Sequence, residues 1–148
     1  MKRVGIVLAV ALPLAAVDLW LKAARPTEPW AYHERSVVWL LLCFFLIAGV
    51  GLLTRIPSAL VPPAAGVLTG GLLGNALSAT WNGMRVPNPI VVSGDRTVLA
   101  FNLADLWALA GIVLLVTTLG TWLVWNRELL PTPAEARARW RQAFARRV

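Results

Sequence analysis

The sequence has few charged residues and almost no cysteine or histidine. Only 14% of its 148 residues are Asp, Glu, Lys or Arg, whereas 58% are hydrophobic. A soluble domain carries roughly 25% charged residues. The composition therefore argues against a soluble globular protein and favours a polytopic membrane protein. The single cysteine, Cys43, excludes an internal disulfide and with it a disulfide-stapled secreted domain.

The scarcity of histidine and cysteine also limits the chemistry that the chain can perform. His33 is the one histidine and is expected to be an ordinary surface residue of an outer loop, while Cys43 is expected to pack inside a membrane span. No metal-ligand cluster and no credible Ser-His-Asp set can be assembled. Phosphate-binding and dinucleotide glycine motifs are missing too. We expect neither a metal nor a cofactor.

Four continuous apolar stretches predict an all-α integral membrane protein with four transmembrane helices. They cover residues of about 4–20, 37–53, 56–77 and 103–125, within a transmembrane domain of residues 1–130. The first stretch also resembles a cleavable signal peptide, but no clear small-x-small site follows it. Eight tryptophans fit interfacial anchors.

The basic residues predict the orientation in the membrane. One side of the predicted spans carries nine of them: Lys2, Arg3, Arg55, Arg127, Arg137, Arg139, Arg141, Arg146 and Arg147. The other side carries five: Lys22, Arg25, Arg35, Arg85 and Arg96. The positive-inside rule then places both termini in the cytoplasm and the short loops 21–36 and 78–102 on the outer face. The net charge of +7 is explained in this way, without a nucleic-acid partner.

The C-terminal tail, residues 131–148, is predicted to be a basic amphipathic helix. Thr132, Pro133 and Glu135 form a helix-start pattern with a capping-box acid, and the helix would run from Pro133 to about Arg146. Its apolar positions recur every four residues: Ala136, Trp140 and Phe144. Such a helix suits the anionic inner leaflet of the membrane. Contact with ribosomal RNA or with a partner protein is the alternative.

Polar residues near the predicted outer ends of the spans are the candidates for function, because such groups are costly inside a bilayer. Asp18 and Lys22 are four residues apart and can pair on one helix face, although a snorkelling lysine is the plainer interpretation. Asn75 ends a stretch in which Gly66, Gly70 and Gly74 form a small-residue seam suited to helix packing.

Asn102 and Asp105 open the fourth predicted span. A first-turn acid can simply interact with the helix dipole. Burial of the Asp105 carboxylate in the membrane would be costly, which weakens the purely structural interpretation. Asp105 is therefore also a functional candidate.

Three motifs in this order resemble signal peptidase II, the bacterial lipoprotein signal peptidase. They are Asp18-Leu19-Trp20-Leu21-Lys22 after span one, Gly70-Gly71-Leu72-Leu73-Gly74-Asn75 at the end of span three, and Phe101-Asn102-Leu103-Ala104-Asp105 at the start of span four. The likeness extends over roughly 4–125 and implies a protein of the bacterial inner membrane. It implies an intramembrane aspartic protease in which two aspartates activate water and cleave before a diacylglyceryl-modified cysteine. One carboxyl group of such a pair holds a proton while the other acts as base.

The resemblance fails at the first catalytic acid. Asp105 matches the second family aspartate, whereas Asn88 stands where the first should be, and an amide cannot accept the proton of water. The family's aspartate-arginine pair after the glycine motif is replaced by Ser78-Ala79. The segment 27–36 is expected to be too short for the family's outer β-structure. Asp95 could replace the missing base, but a surface turn explains it better.

These departures leave three hypotheses. The first is an active lipoprotein signal peptidase with an altered dyad, and the second is a catalytically impaired relative that still binds diacylglyceryl-modified prolipoproteins. The third is a structural membrane protein that assembles through its glycine seam. Under the first two, Asn102, Asn75, Asp18 and Lys22 support the site around Asp105 and Asn88.

Overall fold

The computed structural model describes residues 2–95, 97–132, 134–135, 137–138 and 141–142. Its long helices are α1 (Lys2–Ala24), α2 (Val37–Leu53), α3 (Val61–Trp81) and α4 (Leu103–Trp125). Two short 3-10 turns are found at Pro29–Ala31 and Arg127–Leu129. The chain divides into two compact units between Thr118 and Leu119, within α4. The predicted domain boundary at residue 130 stays a prediction.

The helices follow the predicted apolar stretches, with one correction. The bounds of α2 and α4 coincide with the predicted ones, and α1 is longer at both ends. The prediction that the third stretch is helical from residue 56 is wrong, because α3 begins at Val61. Pro62 and Pro63 occupy its first turn, where a missing backbone N–H costs nothing. Pro57 instead belongs to the turn between α2 and α3.

The helical surface indicates a membrane protein. α1 and α4, with 23 residues each, are long and apolar enough to cross a membrane. α2 is equally apolar but has 17 residues. Large side chains such as Phe44, Phe45 and Val116 point outwards and stay exposed. A soluble monomer rarely exposes so much contiguous apolar surface. The number of spans and their orientation remain predictions.

α3 is the packing centre of the first unit, and its glycines permit the close contacts. A methyl group on Gly66 would lie 2.7 Å from Val10 Cβ of α1. On the other side of α3, a methyl group on Gly71 would lie 2.5 Å from the Ala104 carbonyl oxygen of α4. Real Cβ atoms do not approach that closely. The predicted glycine seam is therefore filled by helices of the same chain.

The connections contain β-structure that the sequence interpretation missed. β1 (Tyr32–Glu34) pairs antiparallel with β2 (Arg85–Pro87), and His33 lies opposite Val86. β3 (Ile90–Ser93) and β4 (Val98–Phe101) form a hairpin. The segment 27–36, expected to be too short for the family's outer β-structure, does contain the three-residue strand β1, because its partner strand comes from a distant loop. Gly83 and Met84, both with positive φ, turn the chain from α3 into β2.

The tail begins with the predicted capping box. The Thr132 backbone N–H donates to a Glu135 carboxylate oxygen at 2.8 Å, and the Glu135 N–H donates to Thr132 Oγ1 at 3.3 Å. Each group thus satisfies a backbone donor of the helix start. Pro133 and the apolar positions lie outside the described residues, so the amphipathic helix stays a prediction. Those positions are Ala136, Trp140 and Phe144.

Candidate functional site

The six candidate side chains lie on one continuous set of polar contacts, called here the polar network. Its members come from α1, α3, the segment after β2 and the start of α4. They are Asp18, Lys22, Asn75, Asn88, Asn102 and Asp105, joined by His33 of β1. The structure thus brings together residues that are up to 87 positions apart in the chain, which is the separation of Asp18 and Asp105.

One end of the polar network is a buried ion pair. Lys22 Nζ lies 2.6 Å from Asp18 Oδ2, and the Asp18 side chain is completely buried. The other oxygen, Asp18 Oδ1, accepts the backbone N–H of Ala104 at 2.8 Å and so ties α1 to α4. A methyl group on Gly74 would lie 2.7 Å from Asp18 Oδ2, so this glycine makes room for the carboxylate. The snorkelling interpretation of Lys22 is wrong, because polar partners hold its side chain inside the protein.

Asn75 joins the ion pair to Asp105. Lys22 Nζ donates to Asn75 Oδ1 at 2.8 Å, and Asn75 Nδ2 donates to Asp105 Oδ1 at 2.8 Å. An ammonium group can only donate and a carboxylate can only accept. The two charged neighbours therefore fix the orientation of the amide. Asn75 thus links the ion pair to the second carboxylate through two hydrogen bonds.

Asn102 and Asp105 form a reciprocal cap on α4. The Asp105 N–H donates to Asn102 Oδ1 at 3.0 Å, and the Asn102 N–H donates to Asp105 Oδ2 at 3.2 Å. This is the arrangement of a capping box, with Asp105 as the acid. Asp105 therefore caps the start of the helix and also belongs to the polar network, while its functional role stays a prediction. Both of its oxygens accept hydrogen bonds from the protein.

Asn88 is buried between the capped start of α4 and β1. Its Oδ1 accepts from Asn102 Nδ2 at 2.5 Å, and its backbone N–H donates to the Ala31 carbonyl at 3.2 Å. The side-chain amide nitrogen lies 3.0 Å from His33 Nδ1. Both ends of the Asn88 amide are thus occupied by protein groups. The neutral side chain is built into the network rather than left facing an empty site.

His33 is the member that sequence interpretation missed. It is exposed, as expected, yet its ring contacts Asn88. The Asp105 backbone N–H requires an acceptor, and the Asn102 side-chain oxygen provides it. The NH₂ group of Asn102 therefore faces Asn88 and donates to its side-chain oxygen. Asn88 then directs its own NH₂ group at His33, and Nδ1 must be the unprotonated ring nitrogen. Only the pairing of β1 with β2, which the sequence did not reveal, brings His33 to Asn88.

The remaining candidates lie outside the polar network. Ser78 is buried near the end of α3, where Asn82 Nδ2 donates to its carbonyl oxygen at 2.8 Å. Asp95 is exposed in the bend between β3 and β4. Cys43 is buried within α2. No cluster of three or more potential metal ligands occurs among the described residues.

The chemistry of the polar network follows from its charges. A carboxylate pair that shares a proton needs two acids side by side. Here Lys22 and Asn75 separate Asp18 from Asp105, and an amide occupies the Asn88 position. A carboxylate has about four lone-pair sites, so Asp105 can still accept hydrogen bonds from water or from a peptide N–H. The polar network therefore holds one carboxylate that is paired with a cation, Asp18, and one that accepts hydrogen bonds from neutral donors, Asp105.

Comparisons with known proteins support the fold. No protein-family model matches the chain, and the curated proteins give no match. A solved structure described as a bacterial membrane enzyme aligns with a TM-score of 0.63 and 15% identity, over 79% of this chain and 88% of that one. The chain therefore shares its fold with a bacterial membrane enzyme.

Proposed function

We propose that this protein is a signal peptidase II-like membrane protein that binds diacylglyceryl-modified peptides and lacks the aspartic cleavage mechanism. The observation that carries this proposal is the buried Asn88 amide, which is bonded at both ends in the place expected for the first catalytic acid. An amide cannot take a proton from water. Losing a general base typically lowers a rate by about 10²–10⁴-fold.

The setting of the proposed site is the outer face of the bacterial inner membrane, with four spans and both termini in the cytoplasm. The distribution of lysine and arginine supports this orientation. The shared fold with a bacterial membrane enzyme supports a location in the membrane. In the proposed complex, the acyl chains would lie in the bilayer while the peptide backbone would donate to Asp105, whose carboxylate retains free lone pairs.

A second candidate function is an active endopeptidase with an altered pair, and the position of His33 beside Asn88 favours it. His33 Nδ1 lies 3.0 Å from the Asn88 amide nitrogen and could serve as a general base once a substrate displaces that amide. In that case, His33 and Asp105 would together replace the two catalytic aspartates of the family. The third hypothesis, assembly through the glycine seam, loses its motivation because the seam packs against α1 and α4 of the same chain.

A binding experiment tests the proposal. Fluorescently labelled prolipoprotein peptides, with and without the diacylglyceryl group, are titrated with the purified protein in nanodiscs. We expect the modified peptide to bind at least about tenfold more tightly, which corresponds to about 1.4 kcal/mol. Asp105→Asn should weaken binding of the modified peptide, whereas Asp95→Asn, the same change at an exposed turn, should not.

Two results would overturn this proposal in different ways. Equal affinity for the modified and unmodified peptides would remove lipid-modified peptides as ligands. Cleavage of the modified peptide that disappears in both Asp105→Asn and His33→Gln would establish the second candidate function.

A further inference from the structure

The opposite end of α1 contributes to a second site, a cavity of about 590 Å³ between the start of α1 and the end of α2. Lys2 and Asp18 are 16 residues apart on the same helix, or roughly 24 Å at 1.5 Å per residue. The cavity is thus separate from the polar network. Its lining comprises Lys2, Arg3, Val4, Gly51, Leu52, Thr54 and Arg55.

The cavity is strongly positive. Three of its seven lining residues are cationic and none is acidic. Within the part of the chain that the structure describes, the one ion pair is Asp18–Lys22, so no carboxylate neutralises these cations. The first turn of α1 adds to the charge, because its backbone N–H groups have no partners within the helix and form the positive end of the helix dipole.

Arg3 is held in place between the two elements. Its Nη1 donates to the Thr54 carbonyl oxygen at 3.1 Å and to the Ile56 carbonyl oxygen. A guanidinium group has five N–H donors, and these two bonds leave three. A fixed fork of donors is suited to the paired oxygens of a phosphate group.

The lining is also partly apolar, which indicates the class of ligand. Val4, Gly51 and Leu52 lie beside the cations. Basic pockets between the ends of membrane helices suit the head groups of anionic lipids, since the phosphate meets the cations and the adjoining glycerol meets the apolar wall. We propose that this cavity binds a phosphate-bearing anion, supplied either by an anionic phospholipid or as a free phosphate compound.

The chain offers a variant that blocks the cavity without removing a charge. Gly51 lines the cavity, and a methyl group on it would meet no atom within 4 Å, so a larger side chain can be placed beside the cavity without striking the backbone. Gly49 on the same helix is equally open but does not line the cavity. Gly51→Leu and Gly49→Leu therefore form a matched pair of variants. A substitution of Arg3 would be harder to interpret, because it would also release the two carbonyl groups.

The experiment measures the thermal unfolding of the full chain in neutral detergent at constant ionic strength. Short-chain phosphatidylglycerol, short-chain phosphatidylcholine and inorganic phosphate are titrated separately. A ligand that binds the folded state raises the unfolding temperature with its concentration. We expect phosphatidylglycerol or phosphate to raise the unfolding temperature. Gly51→Leu should weaken the apparent affinity for the anion by about tenfold or more, a loss of about 1.4 kcal/mol. Gly49→Leu should leave the affinity unchanged.

The separate titrations distinguish the two sources of the anion. An effect of phosphatidylglycerol alone identifies a lipid site, whereas an equal effect of inorganic phosphate identifies a site for free phosphate compounds. Equal stabilisation by phosphatidylcholine and phosphatidylglycerol, with no effect of phosphate, would overturn the proposal. Unchanged anion affinity in Gly51→Leu would also overturn it. The outcome is independent of whether the polar network binds lipid-modified peptides.

Discussion

The side chains of the polar network have fixed orientations because charged groups and backbone donors lie at defined points along it. The Lys22 ammonium group can only donate and the Asp105 carboxylate can only accept, while the Asp105 backbone N–H donates to the Asn102 side-chain oxygen. These constraints fix the orientations of the Asn75 and Asn88 amides. Removing one member should therefore disturb its neighbours as well as its own contacts.

Among the three amide side chains of the polar network, Asn102 should lower the free energy of unfolding most when it is removed. Asn102→Ala removes a helix cap worth about 1 kcal/mol and leaves the buried Asn88 oxygen without its donor, at a cost of about 1–3 kcal/mol. We expect the free energy of unfolding to fall by about 2–4 kcal/mol in denaturant titrations in detergent. Asn82→Ala, which removes a part-buried bond to the Ser78 carbonyl, should cost about 1 kcal/mol. Equal losses in the two variants would contradict the network.

The tautomer of His33 can be observed directly, since this is the only histidine in the chain. Nitrogen NMR of protein labelled at histidine should show an unprotonated Nδ1 and a protonated Nε2 in the neutral form of the ring, as the Asn88 contact requires. Asn88→Ala should release this preference and give a mixture of tautomers. A native spectrum dominated by the Nδ1–H form would show that the inferred donor sequence is wrong.

Sequence spacing predicted part of this site. The four-residue separation of Asp18 and Lys22 predicted their pairing, and Asn102 and Asp105 were recognised at a helix start. Burial of Lys22 was not predicted, because it depends on Asn75 of another helix. His33 was missed because its role depends on a strand pairing across 53 residues, the separation of His33 from Val86. Such a contact leaves no local pattern.

At the scale of the elements, α4 is held against α3 by a backbone contact. A methyl group on Gly111 would collide with the backbone nitrogen of Leu68, whereas one on Gly120 of the same helix would meet no atom within 4 Å. Gly111 is thus required for the close approach of the two helices. Gly120 is not.

This difference gives a prediction with an internal control. Gly111→Ala should lower the free energy of unfolding by about 1–3 kcal/mol or more, because the helices must move apart. Gly120→Ala should leave it unchanged or raise it by up to about 1 kcal/mol, since alanine is the better helix former. Chemical unfolding followed by circular dichroism measures both. A stable Gly111→Ala variant would exclude the close packing of α3 on α4.

Continuous apolar runs predicted the existence of all four helices, because each run is long enough to define a helix by itself. The start of α3 was misplaced because apolar residues continue through the turn that contains Pro57. β1 and β2 could not be recognised, as three residues carry too little alternation to predict a strand. Their formation depends on two loops meeting at the same end of the helices.

At the scale of the whole molecule, the proposed orientation places Asp95 outside the cell membrane and Arg127 inside it. In a Cys43→Ala background, Asp95→Cys should react with an impermeant maleimide on intact cells. Arg127→Cys should react only after permeabilisation. Both positions are exposed, so access within the protein does not limit labelling. Labelling of both from the same side would contradict the four-span topology.

We propose that the protein shares the fold of a lipoprotein signal peptidase but lacks its carboxylate pair. The most direct test mixes the purified protein with a diacylglyceryl-modified prolipoprotein and follows cleavage by gel mobility, beside Asp105→Asn and an authentic signal peptidase II. We expect the authentic enzyme to cleave the substrate and this protein to leave it intact. Cleavage by this protein that is abolished by Asp105→Asn would overturn the proposal.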